Sequence, residues 1–505
     1  MGLLQHPGAI PPQADQDLTL TKSLMMDNHG ANTNNNNFNH QQMSTGGDDQ
    51  WSANANAGTN DKKATISMWI KRTHLSQASG AGEYSRLFQF TAGGTATALY
   101  FNQDYLKMYD DNTSASLVTD RKFRDCAAWY HIVLAMDSTQ STAADRVKIY
   151  VNGVQETSFS TEDYGNQNAV LGMFSNSAVT FYLACAGSQN SGYAFDGYIT
   201  EFHFVDGEQK DADDFGKIDD NGVWVPKPYT GSHGILGCHY NFEDTSNNRF
   251  NDESGNGNYM DNRGGSYEGV IATDTPTNNF CTLNFANRTN GNIRTQAGGT
   301  EATTDGGSGW CGMVATMFVG AGKWYWEVLY EDDGDADDVH IGIAAANDPW
   351  FPARQVSGGY YLGNVETGGA MGWDLDSGTN YNQNGSWGNP SRGDKLMVAY
   401  DADNYKLYYG INGTWGNSAD PANGTGSVTA IESYWMSGIN NALDFVAPAV
   451  SIYQGNRVRS FNFGGVNTWT IASGNADANG YGNFEYAPPT GFYALCTKNL
   501  AQYGG

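Results

Sequence analysis

The sequence predicts an all-β protein: two antiparallel β-sandwich domains of jelly-roll type joined by an irregular connector. Three observations carry this reading. Short apolar runs alternate at period two from Ala64 onward. Turn pairs such as Asn152-Gly153 and Asn412-Gly413 close them, supplying the positive φ that a tight hairpin needs. No amphipathic helix of about 12 residues is visible in the first half. Composition agrees, with 63 glycines, 13% aromatic and only 16% charged residues in 505. A coiled coil would need far more Ala, Glu, Lys and Leu, and a disordered chain far fewer aromatics.

The elements follow in order. The first 60 or so residues are low in complexity, with an Asn run at 34–37 and a polar stretch at 44–60, and read as an arm or long surface loops. Within them 18–26 (LTLTKSLMM) alternates well enough for an isolated strand. Ile66, Met68 and Ile70 then alternate with Thr65, Ser67 and Trp69, the pattern of a half-buried strand. Further strands are expected at 86–90, 97–101, 129–136 (WYHIVLAM), 146–151 (RVKIYV), 181–186 and 197–205 (GYITEFHFV), at sandwich spacing. Residues 211–280 carry few regular strands and several turn dipeptides, with Trp224, Tyr229, Tyr240 and Phe242 as aromatic anchors. Alternation returns at 323–330, 339–344, 394–400 and 405–411.

Several strings resemble known families. SMWIKR, AWYHIVLAMD, VKIYVNGV and FDGYITEFHFVDG resemble the strands of the concanavalin A-like (laminin-G-like) jelly-roll domain. WYWEV, HIGIA, GDKLMVAYD, YKLYYGINGTW and APAVSIYQGNRVRSFNFG together resemble the SPRY domain, a recognition sandwich. The strings DFGKIDDNGVWVPKPYTG, GCHYNFED, NDESGNGN and DTPTNNF, with APPTGFYALCTKNL at 487–500, resemble segments of large structural proteins of tailed, notably marine, bacteriophages. The expected organisation is an arm at 1–20, a concanavalin A-like sandwich at 21–206, a docked connector at 207–300, a SPRY-like sandwich at 301–466 and a C-terminal segment at 467–505.

The resemblance implies a virion structural protein, a tail fibre or comparable appendage whose sandwich loops recognise a host cell-surface glycan or protein. The rival is a capsid decoration or head-fibre subunit that binds other virion subunits, and a third reading is a polysaccharide depolymerase. A homo-oligomer is expected, a trimer from how such appendages are built. The formal net charge of -27 disfavours nucleic acid, because no basic patch displaces phosphate counterions. No run of about 18 apolar residues is present, so no membrane insertion is expected. The start MGLLQHPGAIPPQADQ has neither a basic n-region nor an apolar run of signal length, which fits assembly in a host cytoplasm. The six cysteines are spaced too widely for a disulfide scaffold or a CxxC metal site and read as reduced, buried residues.

The candidate chemistry is sparse. Trp373, Tyr381, Trp387 and Trp415 lie in turn-rich polar surroundings, where their rings suit stacking on sugar faces; the alternative is that they fill cores and anchor loops. Asp333, Asp335 and Asp337 have the D-x-D-x-D spacing of hard oxygen ligands, but Asp338 replaces the EF-hand glycine and Ala344 its bidentate Glu. A non-EF calcium loop stays open beside the plainer reading of a solvated hairpin loop; no other cofactor is implied. The string from Asp252 to Asn258 reads as a turn held by its own Asx side chains. Glycoside hydrolysis needs two carboxylates about 5 to 9 Å apart. The E-x-D-x-x-E set of concanavalin A-like glucanases is missing, and the strand acids Glu201 and Glu327 each stand alone, so no enzyme is expected. His131, His203 and His340 sit within strands and read as packed residues.

Overall fold

The computed structural model describes residues 18–26, 41–43, 58–75, 84–92, 94–175, 179–184, 195–243, 249–262, 271–288, 293–304, 310–330, 339–345, 354–356, 359–361, 370–374, 390–391, 393–427, 445–453, 458–466 and 469–504. Among these the chain is nearly all β, with one short α-helix, Thr497–Tyr503. It divides into two compact units, the first running to Thr277 without Asp125–Ala127 and the second comprising Asp125–Ala127 and the chain from Asn278 onward, each taken by itself below.

The first unit is a two-sheet sandwich. One sheet runs in the order Val154–Gln155, Val147–Val151, Trp129–Asp137, Lys63–Arg72, Gly197–Asp206, Ser23–Met26 and Ile271–Ala272, with Cys238–Tyr240 also paired to Gly197–Asp206. The other holds Phe159–Asp163, Ala115–Lys122, Tyr105–Asp110, Thr95–Asn102, Tyr84–Ala92, Val179–Leu183, Gln41–Met43, Met260–Asn262 and Arg249–Phe250. Ile66, Met68, Ile70, Phe88, Phe90 and Phe204 meet between them in the main core. The Asn152-Gly153 hairpin has φ of 50° and 81°, as the turn pair requires.

Two expectations change here. The strand at Ser23–Met26 is not isolated: it pairs antiparallel with Gly197 to Ile199. The stretch after Asp206 is also more than a connector. It places Cys238–Tyr240 and Ile271–Ala272 in one sheet and Arg249–Phe250 and Met260–Asn262 in the other. Its remaining length packs Ala212 and Phe215 on the outer face of the first sheet, against Val133, Ala135, Tyr150 and Val205, with Trp224 and Tyr229 alongside. Thr65, Ser67 and Trp69, which alternation alone makes solvent-facing, are therefore buried.

Buried polar contacts fix this covering segment. Lys71 and Asp274, both almost fully buried, form an ion pair at 2.7 Å. The Asp274 carboxylate also accepts the Trp129 indole N–H at 3.0 Å, and the Ser23 hydroxyl donates to its backbone carbonyl. The Thr277 hydroxyl donates to the carbonyl of Leu20. In the second unit a five-stranded sheet (Leu283–Arg288, Trp310–Ala315, Val446–Tyr453, Val339–Ala345, Ala370–Asp374) faces a larger one around Lys323–Leu329, Lys395–Asp401 and Lys406–Ile411. The outer face of that larger sheet, carrying Tyr325, Met397 and Tyr408, is covered by Phe484, Phe492 and Cys496. Cys126, Cys238, Cys281, Cys311 and Cys496 are free and buried, as expected of reduced small residues; Cys185 lies outside the described residues.

Removing one partner of a buried ion pair leaves the other charge without compensation. Asp274→Ala is expected to destabilise the first unit by about 3–5 kcal/mol, read as a lower urea midpoint, whereas Lys63→Ala, which removes a half-exposed cation from Asp137, costs about 1 kcal/mol or less.

Candidate functional site

The outer face of the first sheet carries a cluster of titratable groups. Strand Gly197–Asp206 contains an irregularity: Thr200 lies opposite Trp69 and His203 opposite Ser67, so one extra residue is inserted. Glu201 sits in that bulge with φ of 47°, a left-handed conformation rare for a residue with a side chain. On the other side His203 is directly opposite His239. Their rings stack with centroids 4.0 Å apart. Both Nε2 atoms converge on Glu201 Oε2, at 3.3 Å from His203 and 3.2 Å from His239. His233 adds a third ring, its Nε2 3.1 Å from His203 Nδ1.

The local chain is built to bring these groups together. Gly237 admits no other residue between the histidines, because a Cβ there would stand 1.9 Å from the His233 carbonyl oxygen and 2.4 Å from that of Phe204. Asp252 accepts the backbone N–H groups of His239, Ser254 and Asn258. The 252–258 string thus forms a tight turn on its own side chain and also holds the His239 backbone. Phe215 and Tyr229 pack against the His203 ring at 5.3 and 5.9 Å.

Burial pushes the Glu201 carboxyl up, but the hydrogen bonds from His203 and His239 outweigh it and hold the pKa at about 2. Burial lowers His203 to about 3 and His233 to about 4. At neutral pH the Glu201 carboxylate therefore stands beside neutral His203 and His233 rings. Cys238 is no ligand: burial raises its thiol well above the usual range, and it faces the core. Among the described residues, Glu201, His203 and His239 are the one group of three such side chains placed to hold a metal ion.

His131, on the neighbouring strand, shows how the covering segment docks. The Trp224 indole N–H donates to His131 Nδ1 at 3.0 Å. An indole nitrogen only donates, so Nδ1 is the bare nitrogen and Nε2–H faces the Ser67 hydroxyl at 2.8 Å. The ring stacks on Trp69, with centroids 4.8 Å apart.

The outer face of the other sheet is different. Arg86, Tyr100 and Lys107 form a cross-strand row, Arg86 opposite Tyr100 and Tyr100 opposite Lys107. Tyr109 shares the face with Lys107, two residues along its strand. The Arg86 guanidinium lies 4.3 Å from the Tyr100 ring centre and 5.2 Å from that of Tyr109. Tyr84 meets Tyr100 edge-on, and the Lys122 ammonium sits 4.6 Å over Tyr105. All are partly exposed. A chain with a large negative charge thus presents one face of tyrosines interleaved with cations.

The residues singled out from sequence fall elsewhere. Trp373 lies in strand Ala370–Asp374, opposite Ile341. Trp415 is half-buried and packs edge-on to Tyr325 at 6.4 Å. Tyr381, Trp387, Asp333, Asp335 and Asp337 lie outside the described residues. Glu327 is buried and accepts four hydrogen bonds, from the Tyr325 hydroxyl, the Asn462 amide and the backbone N–H groups of Glu485 and Tyr486; burial leaves its carboxyl above the ordinary value. It is a pin for the C-terminal segment.

Residues 45–213 match the concanavalin A-like lectin/glucanases superfamily. The first unit holds a concanavalin A-like domain. That superfamily includes both lectins and glucanases by its description. No curated protein matches the chain. Among solved structures, the SPRY domain of human HERC1 is similar at 16% identity over 34% of this chain and 90% of that one, with a TM-score of 0.24. Domain 4 of AbnA, a GH43 extracellular arabinanase from Geobacillus stearothermophilus in complex with arabinotriose, is similar at 17% identity over 30% of this chain. The chain spans 63% of that domain, with a TM-score of 0.19.

His131 yields a pH prediction. Its pKa is near 6.5 when unfolded and about 3 when folded, because burial disfavours the imidazolium. A depressed folded value means that stability is complete above pH 6.5 and is lost as pH falls toward 3, by about 1.4 kcal/mol per pH unit for each such histidine. Urea midpoints measured from pH 7 to 4 should fall, and His131→Asn should shallow the slope by one proton.

Proposed function

We propose that this chain is a virion structural protein, a tail fibre or comparable appendage, that recognises an acidic glycan on a host surface. The glycan half of the reading rests on the Tyr84, Arg86, Tyr100, Lys107 and Tyr109 face. Tyrosine rings supply apolar area with a polar tip for sugar stacking; Arg86 holds the Tyr100 and Tyr109 rings, and Lys107 beside them offers a charge-assisted hydrogen bond to a carboxylate. The face stands on a paired sheet, so its side chains are positioned before any ligand arrives. The lectin-containing superfamily matched by residues 45–213 fits this use. The virion half is supported by the phage-like strings within 211–280 and at 487–500.

The protein acts by binding and not by cleavage. Glu327 is saturated by four donors, and Glu201 is held ionised between histidines, so neither is a protonated acid facing a substrate. Weak single contacts, repeated across a homo-oligomer, gain avidity through effective concentration.

Binding of the purified protein to host cells and to acidic and neutral polysaccharides tests the reading. Tyr100→Ala and Arg86→Ala are each expected to weaken acidic-glycan binding about tenfold, corresponding to about 1.4 kcal/mol per site, with added salt weakening it further. Unchanged binding in both variants would remove this face from the function, and protein-dependent release of reducing ends would show an enzyme instead.

A further inference from the structure

We propose that Glu201, His203 and His239 bind one divalent cation of the zinc class on the outer face of the first sheet. The two carboxylate–imidazole separations are those of a coordination polyhedron. In a tetrahedral site with metal–ligand bonds of about 2.0–2.2 Å, ligand atoms stand about 3.3–3.5 Å apart, whereas hydrogen bonds from N–H to a carboxylate prefer about 2.7–2.9 Å when charge-assisted. Glu201 Oε2 lies 3.3 and 3.2 Å from the two Nε2 atoms, and all three ligand atoms fall within 4.8 Å of one another. Oε1 takes no hydrogen bond from the described residues.

The donor set selects the ion. Two imidazoles and one carboxylate suit zinc and its transition-metal neighbours, whereas calcium and magnesium take oxygen cages. An outer partner is already in place: with His203 Nε2 on the ion, its Nδ1–H donates to His233 Nε2 at 3.1 Å. Such a bond fixes the tautomer and orientation of a ligating histidine. The Glu201 bulge and the Gly237 approach bring the three side chains together from the backbone, and ion binding tilts the two imidazoles out of their parallel stack so that both Nε2 lone pairs point at the ion. His239 keeps 19% of its side chain exposed, which leaves a way in and a solvent-facing coordination position. The ion would clamp strand Cys238–Tyr240 of the covering segment onto Gly197–Asp206.

The test uses the full chain without an affinity tag, stripped by a chelator and titrated with Zn²⁺ by calorimetry and with Co²⁺ by visible absorption. One ion per chain is expected, with Co²⁺ bands of tetrahedral intensity, and X-ray absorption of the zinc form should show two imidazole ligands. His233→Ala should weaken binding about 10–100-fold, and Glu201→Gly and His239→Ala by at least as much. Glu201→Gly suits the positive φ at that position, so its fold, checked by near-UV circular dichroism, should be intact. No uptake by the wild-type chain would overturn the proposal and leave a hydrogen-bonded triad. Equal uptake by wild type, folded Glu201→Gly and His239→Ala would equally overturn it, placing the ion on other histidines.

Discussion

Burial of the central strands on both faces is the constraint on which the first unit depends. Lys63–Arg72 and Gly197–Asp206 are buried along almost their whole length, and a sheet with two covered faces needs a third layer. The chain supplies it from its own continuation, with Ala212, Phe215, Trp224 and Tyr229 as the apolar contacts and the Lys71–Asp274 pair and the His131–Trp224 bond as polar fixings. The second unit repeats the device, where Phe484 and Phe492 cover Tyr325 and Tyr408 and Glu327 gathers the backbone N–H groups of the covering segment.

The covering layer also explains where chemistry concentrates. A carboxylate and several histidines on an open sheet face would be solvated and unremarkable. Beneath the segment that contributes His233 and His239 they become a buried cluster around the Glu201 carboxylate. The opposite sheet carries its tyrosine and cation row on partly exposed strands.

Much of the fold was legible because alternation and turn chemistry are local. Ile66, Met68 and Ile70 announce a strand, and Asn152-Gly153 and Asn412-Gly413 announce hairpins. The third layer was not legible, because Thr65, Ser67 and Trp69 look solvent-facing until Phe215 and Trp224 arrive from about 150 residues away. Separation along the chain also hid the candidate cluster. Glu201 stood alone in sequence because His239, its partner 38 residues on, lies in a stretch that reads as connector, as does His233, which bonds His203. The Glu201-x-His203 spacing on one strand face, followed by two more histidines, was the available signal. The Arg86, Tyr100 and Lys107 row exists only through strand register, which the sequence does not print.

Native-state hydrogen exchange followed residue by residue tests the central claim, that the segment after Asp206 is a structural layer of the first unit. The account predicts that the amides of Trp224, Val225 and Cys238–Tyr240 exchange with the same opening free energy as those of Lys63–Arg72, as one cooperative unit. Exchange of the 216–240 amides at rates of an open loop, while Lys63–Arg72 stays protected, would contradict it.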